Sequence, residues 1–482
     1  MDSNSVVIKY LIKLGYSPQT DYYSNIDNWE EWYRNYVQEF HEYHEEDGTR
    51  RQLYRLNMAK RGCEDWSSIL FTEKDVMTCN NEINQNYLDK QLDRLKFDDI
   101  IPENIEDACW SGTLGTITRV KNAIIENGEL RADDKTEYDL VNVTADMVIP
   151  LRIEHGEIID VAFVSKIVED DKTIYYIEIH ELKEDGYVIR NIFVDENGEE
   201  VDRDGIIKEY TTHSNIPLFS LLEPRIVNNI KNNNGLGISI FGNAIDQLKD
   251  CDIEYNNWVN DAYLGGKKVF YNKSLVKYNT ETYTDKEGNK VVREIPIYPD
   301  DLTKQQFKVL DGDLSSTNEE TLIHEYNPDL RAEDGEKRIN MALNLYSCAI
   351  GLGKSYYRFE NGTVITATQY LGENKDLVGN AKKHRRALNS YTVGIARAIL
   401  LLGRILFNEN TDENDEIQLT NKDGFLVSDE ELQEQYRQDF KDGLMSKKTY
   451  LMKARGMTEE QAIRELEEVK KDNPTLESLI GE

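Results

Sequence analysis

Two stretches near the middle of the chain carry apolar residues at helical spacing, and the chain between them alternates with a period of two. In Leu236–Ala262 the apolar positions are Ile238, Phe241, Ile245 and Leu248, then Tyr255, Trp258 and Ala262. Asp246, Asp250, Glu254, Asn257 and Asp261 run between them, three or four residues apart, so they drift slowly around one side. Asn234-Gly235 and Gly265-Gly266 bound the run, and no proline interrupts it. The pattern predicts one unbroken helix, roughly 40 Å long at about 1.5 Å per residue. A second helix is predicted over Glu333–Ile350. Two long helices bracketing a β-rich excursion imply a stalk with a small module at its end. The acidic side is either an ordinary solvated face or a line of carboxylates with a task.

Before the stalk, the pattern predicts helices over part of 1–25 and over Asn28–Tyr43, where Trp29, Trp32, Tyr33, Tyr36 and Phe40 form an aromatic stripe. His41 and His44 lack a further ligand nearby and read as a surface pair. Helices follow over Tyr54–Phe71, Asn80–Phe97 and Glu103–Gly112, the last opened by Pro102. From about Ile117 the period is two. Asp146–Ile153, Glu157–Ile167, Thr173–Leu182 and Gly186–Val194 read as an antiparallel meander, separated by turn pairs such as His155-Gly156 and Asp185-Gly186. Pro217–Val227 is an extended lead into the stalk.

After Gly266, strands are predicted at Lys267–Tyr271, in a hairpin Lys277–Tyr298 turning at Lys286–Asn289, and at Gln306–Leu310 and Leu322–Tyr326. Gly351–Gly362 is a loop, and Thr363–Phe407 is helical with breaks near Gly372 and Gly394. The acidic run Asn408–Glu416 reads as a solvated linker. Ser428 with Glu431, and Thr458 with Gln461, have capping-box spacing and start two further helices. Gly443 and Gly456 stand where such helices end.

Charge narrows the function classes. Lys and Arg total 57 against 90 Asp and Glu, for a formal net charge of −33. Such a surface does not grip nucleic acid as a whole, since phosphate binding needs basic patches, but it lets nucleic acid slide past. Mean hydropathy is −0.64, and no uninterrupted apolar run reaches the roughly 18 residues of a membrane span. The start MDSNSVVIKY lacks the basic and apolar parts of a signal peptide. Cys63, Cys79, Cys109, Cys251 and Cys348 form no CxxC pair and read as reduced cysteines of a cytoplasmic protein, with metal ligation not expected.

One segment approaches a chemical motif. Cys348–Ser355, CAIGLGKS, matches GxxxxGK[ST] at Gly353, Lys354 and Ser355, but Cys348 stands where the first glycine belongs. A phosphate loop also follows a strand, whereas this segment follows a helix. With no GxSxG elbow, an enzyme reading would rest on that near miss alone, as an ATP-using packaging or DNA-handling enzyme. No cofactor is expected.

Several strings, in order, resemble the portal proteins of long-tailed bacteriophages, in the family typical of phages of Gram-positive hosts. They are Trp29-Glu30-Glu31-Trp32-Tyr33, Asn57–Lys60 with Cys63–Trp66, and Leu236–Ser239 with Asp246-Gln247-Leu248 and Asp252. Further on come Asn327–Arg331, Gly351-Leu352-Gly353 with Tyr357 and Phe359, Thr366–Gln369, and Gly443–Ser446 with Thr449. Gln369 stands where the family commonly has Glu.

The resemblance implies an α+β portal architecture. A wing spans 1–234 (helices, then meander), a first stem helix 235–265, a β-rich clip 266–330 and a second stem helix 331–350. A channel (tunnel) loop follows at 351–362, then a long broken helix at 363–407 and a helical crown at 408–482. It also implies a ring of about twelve subunits at one capsid vertex, without catalytic residues. Double-stranded DNA passes through it, and it docks terminase, a head–tail adaptor, and major capsid and scaffolding proteins. No membrane is involved. The protein is then found in the virion, and in the host cytoplasm during assembly. The acidic residues Asp246, Asp250, Glu254 and Asp261 then line the channel or its mouth, repelling phosphate. The loop residues Lys354, Ser355, Tyr356, Tyr357 and Arg358 then face DNA. The competing reading of that loop makes Tyr357 and Phe359 core residues and pairs Arg358 with a carboxylate.

Overall fold

A computed structural model describes residues 2–44, 48–71, 76–126, 129–169, 172–203, 205–232, 234–264, 268–272, 277–284, 290–297, 307–310, 323–326, 332–354, 356–357, 375–420, 429–455, 457 and 459–472. Ser355, Arg358, Phe359, the hairpin turn at 286–289, segment 363–374, Ser428, Gly456 and Thr458 lie outside the described residues.

The protein is α+β. Its helices are α1 (Asp2–Lys13), α2 (Tyr23–Tyr33), α3 (Gln38–His41), α4 (Met58–Leu70), α5 (Glu82–Arg94) and α6 (Phe97–Ser111). After the sheets come α7 (Ile245–Leu264), α8 (Ala332–Ala349), α9 (Lys375–Phe407), α10 (Asp429–Lys441), α11 (Lys447–Arg455) and α12 (Glu459–Asp472).

The meander forms as its alternation predicts. Val148–Glu154, Glu157–Glu169, Lys172–Lys183 and Gly186–Asp195 pair in sequence, antiparallel, with Glu209–Thr211 on the outer edge. A second sheet orders Phe219–Leu222, Leu114–Lys121 and Glu137–Thr144. Its central strand faces the meander, so that a Cβ on Gly115 would strike the Phe163 ring. Between α7 and α8, Lys268–Asn272 pairs with Phe307–Leu310, parallel, and with Ile323–Tyr326, antiparallel, and Lys277–Thr284/Lys290–Ile297 form a separate hairpin.

One continuous core joins α1–α6, both large sheets, the base of the α7/α8 pair and α9. α9 is long and apolar enough to cross a membrane, yet 61% of its apolar window is buried inside the fold. Its apolar face is therefore core. The C-terminal helices α10, α11 and α12 pack on one another in turn, with Phe440 stacked on Tyr450 at 4.9 Å.

Three expected helices are shorter than their periodicity. The aromatic stripe breaks at Asn35, whose φ of 59° is left-handed, a conformation asparagine tolerates better than most residues. Asn57, also left-handed, delays α4 to Met58. The expected stem helix from Leu236 begins only at Ile245. Between Leu236 and Ala244 the chain bonds sideways instead. Gly237 N–H donates to Thr113 Oγ1 and Ile240 N–H to the Cys109 carbonyl. Gly112 and Gly237 make this approach possible, since a Cβ on Gly237 would lie 2.3 Å from the Gly112 oxygen. The stem helix is thus 20 residues, about 30 Å, rather than 40. Conversely, α6 begins at Phe97 and carries Pro102 inside it.

The acidic run Asn408–Glu416 is not a solvated linker. Glu413 is buried and takes two bonds from Arg404, and Asn84 donates to the Asp412 carbonyl and the Asp415 carboxylate. Ile417–Thr420 then pairs with Val76–Cys79. Residues 408–420 are therefore held against α5, α9 and the strand Val76–Cys79.

Candidate functional site

The α7/α8 pair is where the structure concentrates charge at a helix–helix seam. Each helix buries one stripe, Leu248 and Cys251 on α7, and Ile339, Ala342, Leu343 and Tyr346 on α8. Gly335 lets the helices close, because its missing side chain leaves room for the Trp258 ring. Arg338 of α8 then reaches two α7 carboxylates, Glu254 at 2.8 Å and Asp261 at 3.6 Å. These two acids therefore serve as a seam clamp, which the helical wheel alone did not reveal. Asp246 is 90% exposed and, among the described residues, pairs with Lys249 at 3.4 Å. Asp250 is half-buried, and burial followed by the nearby Glu254 charge raises its pKa. Of the four expected acids, Asp246 thus stands outward, Glu254 and Asp261 are held at the seam, and Asp250 lies half-buried between them.

A fifth acid matters more for the anchoring of α7. Asp252 is buried, accepts from Leu56 N–H at 2.7 Å through Oδ1, and meets His41 Nε2 at 3.0 Å through Oδ2. His41 Nδ1 accepts from Val37 N–H at 2.8 Å, so the proton lies on Nε2 and points at the carboxylate. His41 is fully buried between Trp32, Phe40 and Tyr36. The expectation of a surface histidine pair is thus overturned for His41: the break at Asn35 turns it inward onto α7.

The loop after α8 starts pinned. Ile350, Gly351 and Leu352 donate their N–H groups back to Tyr346, Cys348 and Ser347, closing the helix end. Trp66 Nε1 donates to the Ile350 carbonyl at 3.0 Å, and Asn380 Nδ2 to the Gly351 carbonyl at 3.0 Å. A phosphate loop needs such N–H groups free, so Ile350, Gly351 and Leu352 do not have that geometry. Tyr357 packs on the core, stacked on Tyr346, and donates to Asp65 Oδ2 at 2.8 Å. Tyr356 packs on the core edge-on to Tyr357. Lys354 is exposed. Of the described loop residues, Lys354 alone has the open position expected of a channel contact.

No protein-family model matches the chain, and no curated protein matches it. The site has to be read from its own geometry. Among the described residues, no group of three or more His, Cys, Asp and Glu is placed to hold a metal. The free cysteines Cys63, Cys109 and Cys251 are buried, and burial raises the pKa of each thiol.

One functional feature escaped the motif reading. Lys382-Lys383-His384-Arg385-Arg386 is a basic run in an acidic chain, a pattern that itself signals an anion-binding patch. It lies on α9, beside the pinned loop. His384 points inward, where its Nδ1 accepts from Arg225 N–H, and burial together with the neighbouring Lys383 charge lowers its pKa to about 4.

Proposed function

We propose that the protein is a non-catalytic portal subunit, forming a ring at one capsid vertex through which double-stranded DNA is packaged and ejected. The observation that carries this reading is the α7/α8 pair, joined at one end through a β-rich segment and rooted at the other in the wing core. Asp252–His41 and Trp66–Ile350 make that root. A lone helix pair carrying strands at its tip gains little from being monomeric. Side-by-side copies that close on themselves would turn it into a tube wall. In the same reading Asp246 and Asp250 keep phosphate from adhering. Terminase, the head–tail adaptor, and the capsid and scaffolding proteins would dock on the ring, and no cofactor takes part.

Negative-stain electron microscopy and native mass spectrometry of the purified chain test this reading. Annular particles with a central hole are expected. Strictly monomeric protein at micromolar concentration, across a range of salt, refutes it.

A further inference from the structure

We propose that α9 carries a row of cations that binds the phosphate backbone of double-stranded DNA without regard to sequence. The helix contains seven Lys and Arg against the single acid Asp376, within a chain whose acids outnumber its bases 90 to 57. Lys375, Lys382, Arg386 and Arg397 are exposed. At about 3.6 residues per turn they fall within roughly 60° of one another, and Lys375 to Arg397 spans about 33 Å. Lys383 flanks the row. Elsewhere Arg119, Arg152, Arg338 and Arg404 each have a carboxylate partner. Among the described residues, none of the five cations of this row forms an ion pair. The one bond shown for them is from Lys383 Nζ to Asn380 Oδ1, at 3.3 Å.

The core fixes where the row points. Leu377, Ala381, Leu388, Tyr391 and Ile395 occupy the buried face of α9, so the cations cannot turn inward without unpacking it. Asn380, by holding the Gly351 carbonyl, sets the segment leading to exposed Lys354 beside the first half of the helix. The row also lacks the apolar centre that a protein interface requires. Among the described residues, the one exposed large apolar side chain of α9 is Phe407, at its far end. Cations without apolar anchors suit phosphates, which reward charge and are indifferent to shape. The conduit reading enters only in choosing duplex DNA as the polyanion.

The test is fluorescence anisotropy of the full chain with a labelled random-sequence duplex of about 30 base pairs, from 50 to 200 mM salt. With about four phosphate contacts, log affinity should fall against log salt with a slope of roughly −3 to −4. Over that salt range the loss is on the order of 10²-fold. The triple variant Lys382→Glu, Lys383→Glu, Arg386→Glu should flatten the slope by about 3 and weaken binding at 100 mM on the order of 10²-fold. The control Lys447→Glu, Lys453→Glu, Arg455→Glu removes as many charges from α11 and should change both far less. Absent or salt-independent binding by the unmodified chain overturns the proposal, as does equal behaviour of the two variants. If the α9 variant instead loses self-association while the unmodified chain ignores DNA, the row meets the acidic surface of a second copy, and the proposal falls. Row-dependent DNA binding by a chain that forms no ring upholds it while refuting the conduit reading.

Discussion

Replacing Glu178 by Gln should weaken the fold in a pH-dependent way. Glu178 is 2% exposed, between the meander and the second sheet. Arg119 Nε donates to its Oε2 at 2.6 Å, His180 Nε2 lies 3.1 Å from Oε1, and Tyr176 donates at 3.2 Å. Arg119 also sits 4.7 Å over the Tyr176 ring. Burial alone would raise the carboxyl pKa. The His180 bond, the charges of Arg119 and His180, and the Arg119 bond outweigh it, lowering the pKa from 4.5 to about 2. A depressed carboxyl pKa stabilises the fold fully above the unfolded value and loses that contribution as pH falls toward the folded one. At about 1.4 kcal/mol per unit the shift corresponds to roughly 3 kcal/mol at pH 7, and to about 1 kcal/mol at pH 3. Gln keeps the shape but leaves the Arg119 charge without its counter-ion, a loss of similar size. Guanidinium unfolding followed by tryptophan fluorescence should show the variant less stable by about 3 kcal/mol at pH 7, with the gap narrowing by more than half at pH 3. A gap that is absent at pH 7, or equal at both pH values, refutes the reasoning.

Three further outcomes are expected. Gly335→Ala places a Cβ 2.5 Å from Trp258 Cδ1 and should lower stability by about 1–3 kcal/mol, with a changed Trp emission; unchanged emission and stability would deny the close seam. Asp252→Ala removes the acceptor of Leu56 N–H and the partner of His41, and should raise hydrogen exchange around residues 53–57, at a loss of about 2–4 kcal/mol; unaltered exchange there would show the contact to be idle. Tyr391→Phe opens a closed circuit in which Asn142 donates to Asn104, Asn104 to Tyr391, Tyr391 to Thr116, and Thr116 back to Asn142. It should cost about 1–3 kcal/mol in thermal or denaturant unfolding, and a neutral result would mean that water replaces the hydroxyl.

Alternation and turn residues act locally, so the meander strands and the hairpin Lys277–Thr284/Lys290–Ile297 stand within about two residues of where the pattern puts them. Their side chains point in or out by the geometry of the strand itself, whatever lies opposite. The α8 helix was legible for the same reason, its buried stripe and its ends being written in one short segment. The start of α7 was not: Leu236–Ala244 has helical spacing, but Gly112 and Gly237 let the segment approach the end of α6, where Thr113 Oγ1 and the Cys109 carbonyl take its N–H groups in place of the i−4 carbonyls. Nor were the partners of His41, Glu254, Asp261 and Glu413 legible. Each is a charged or polar group whose role depends on a residue from another element, brought near only by folding. The α9 row is the intermediate case. Its cations stand openly in the sequence, but whether carboxylates meet them depends on where 90 acids come to rest, and the core alone decides which face of the helix looks outward.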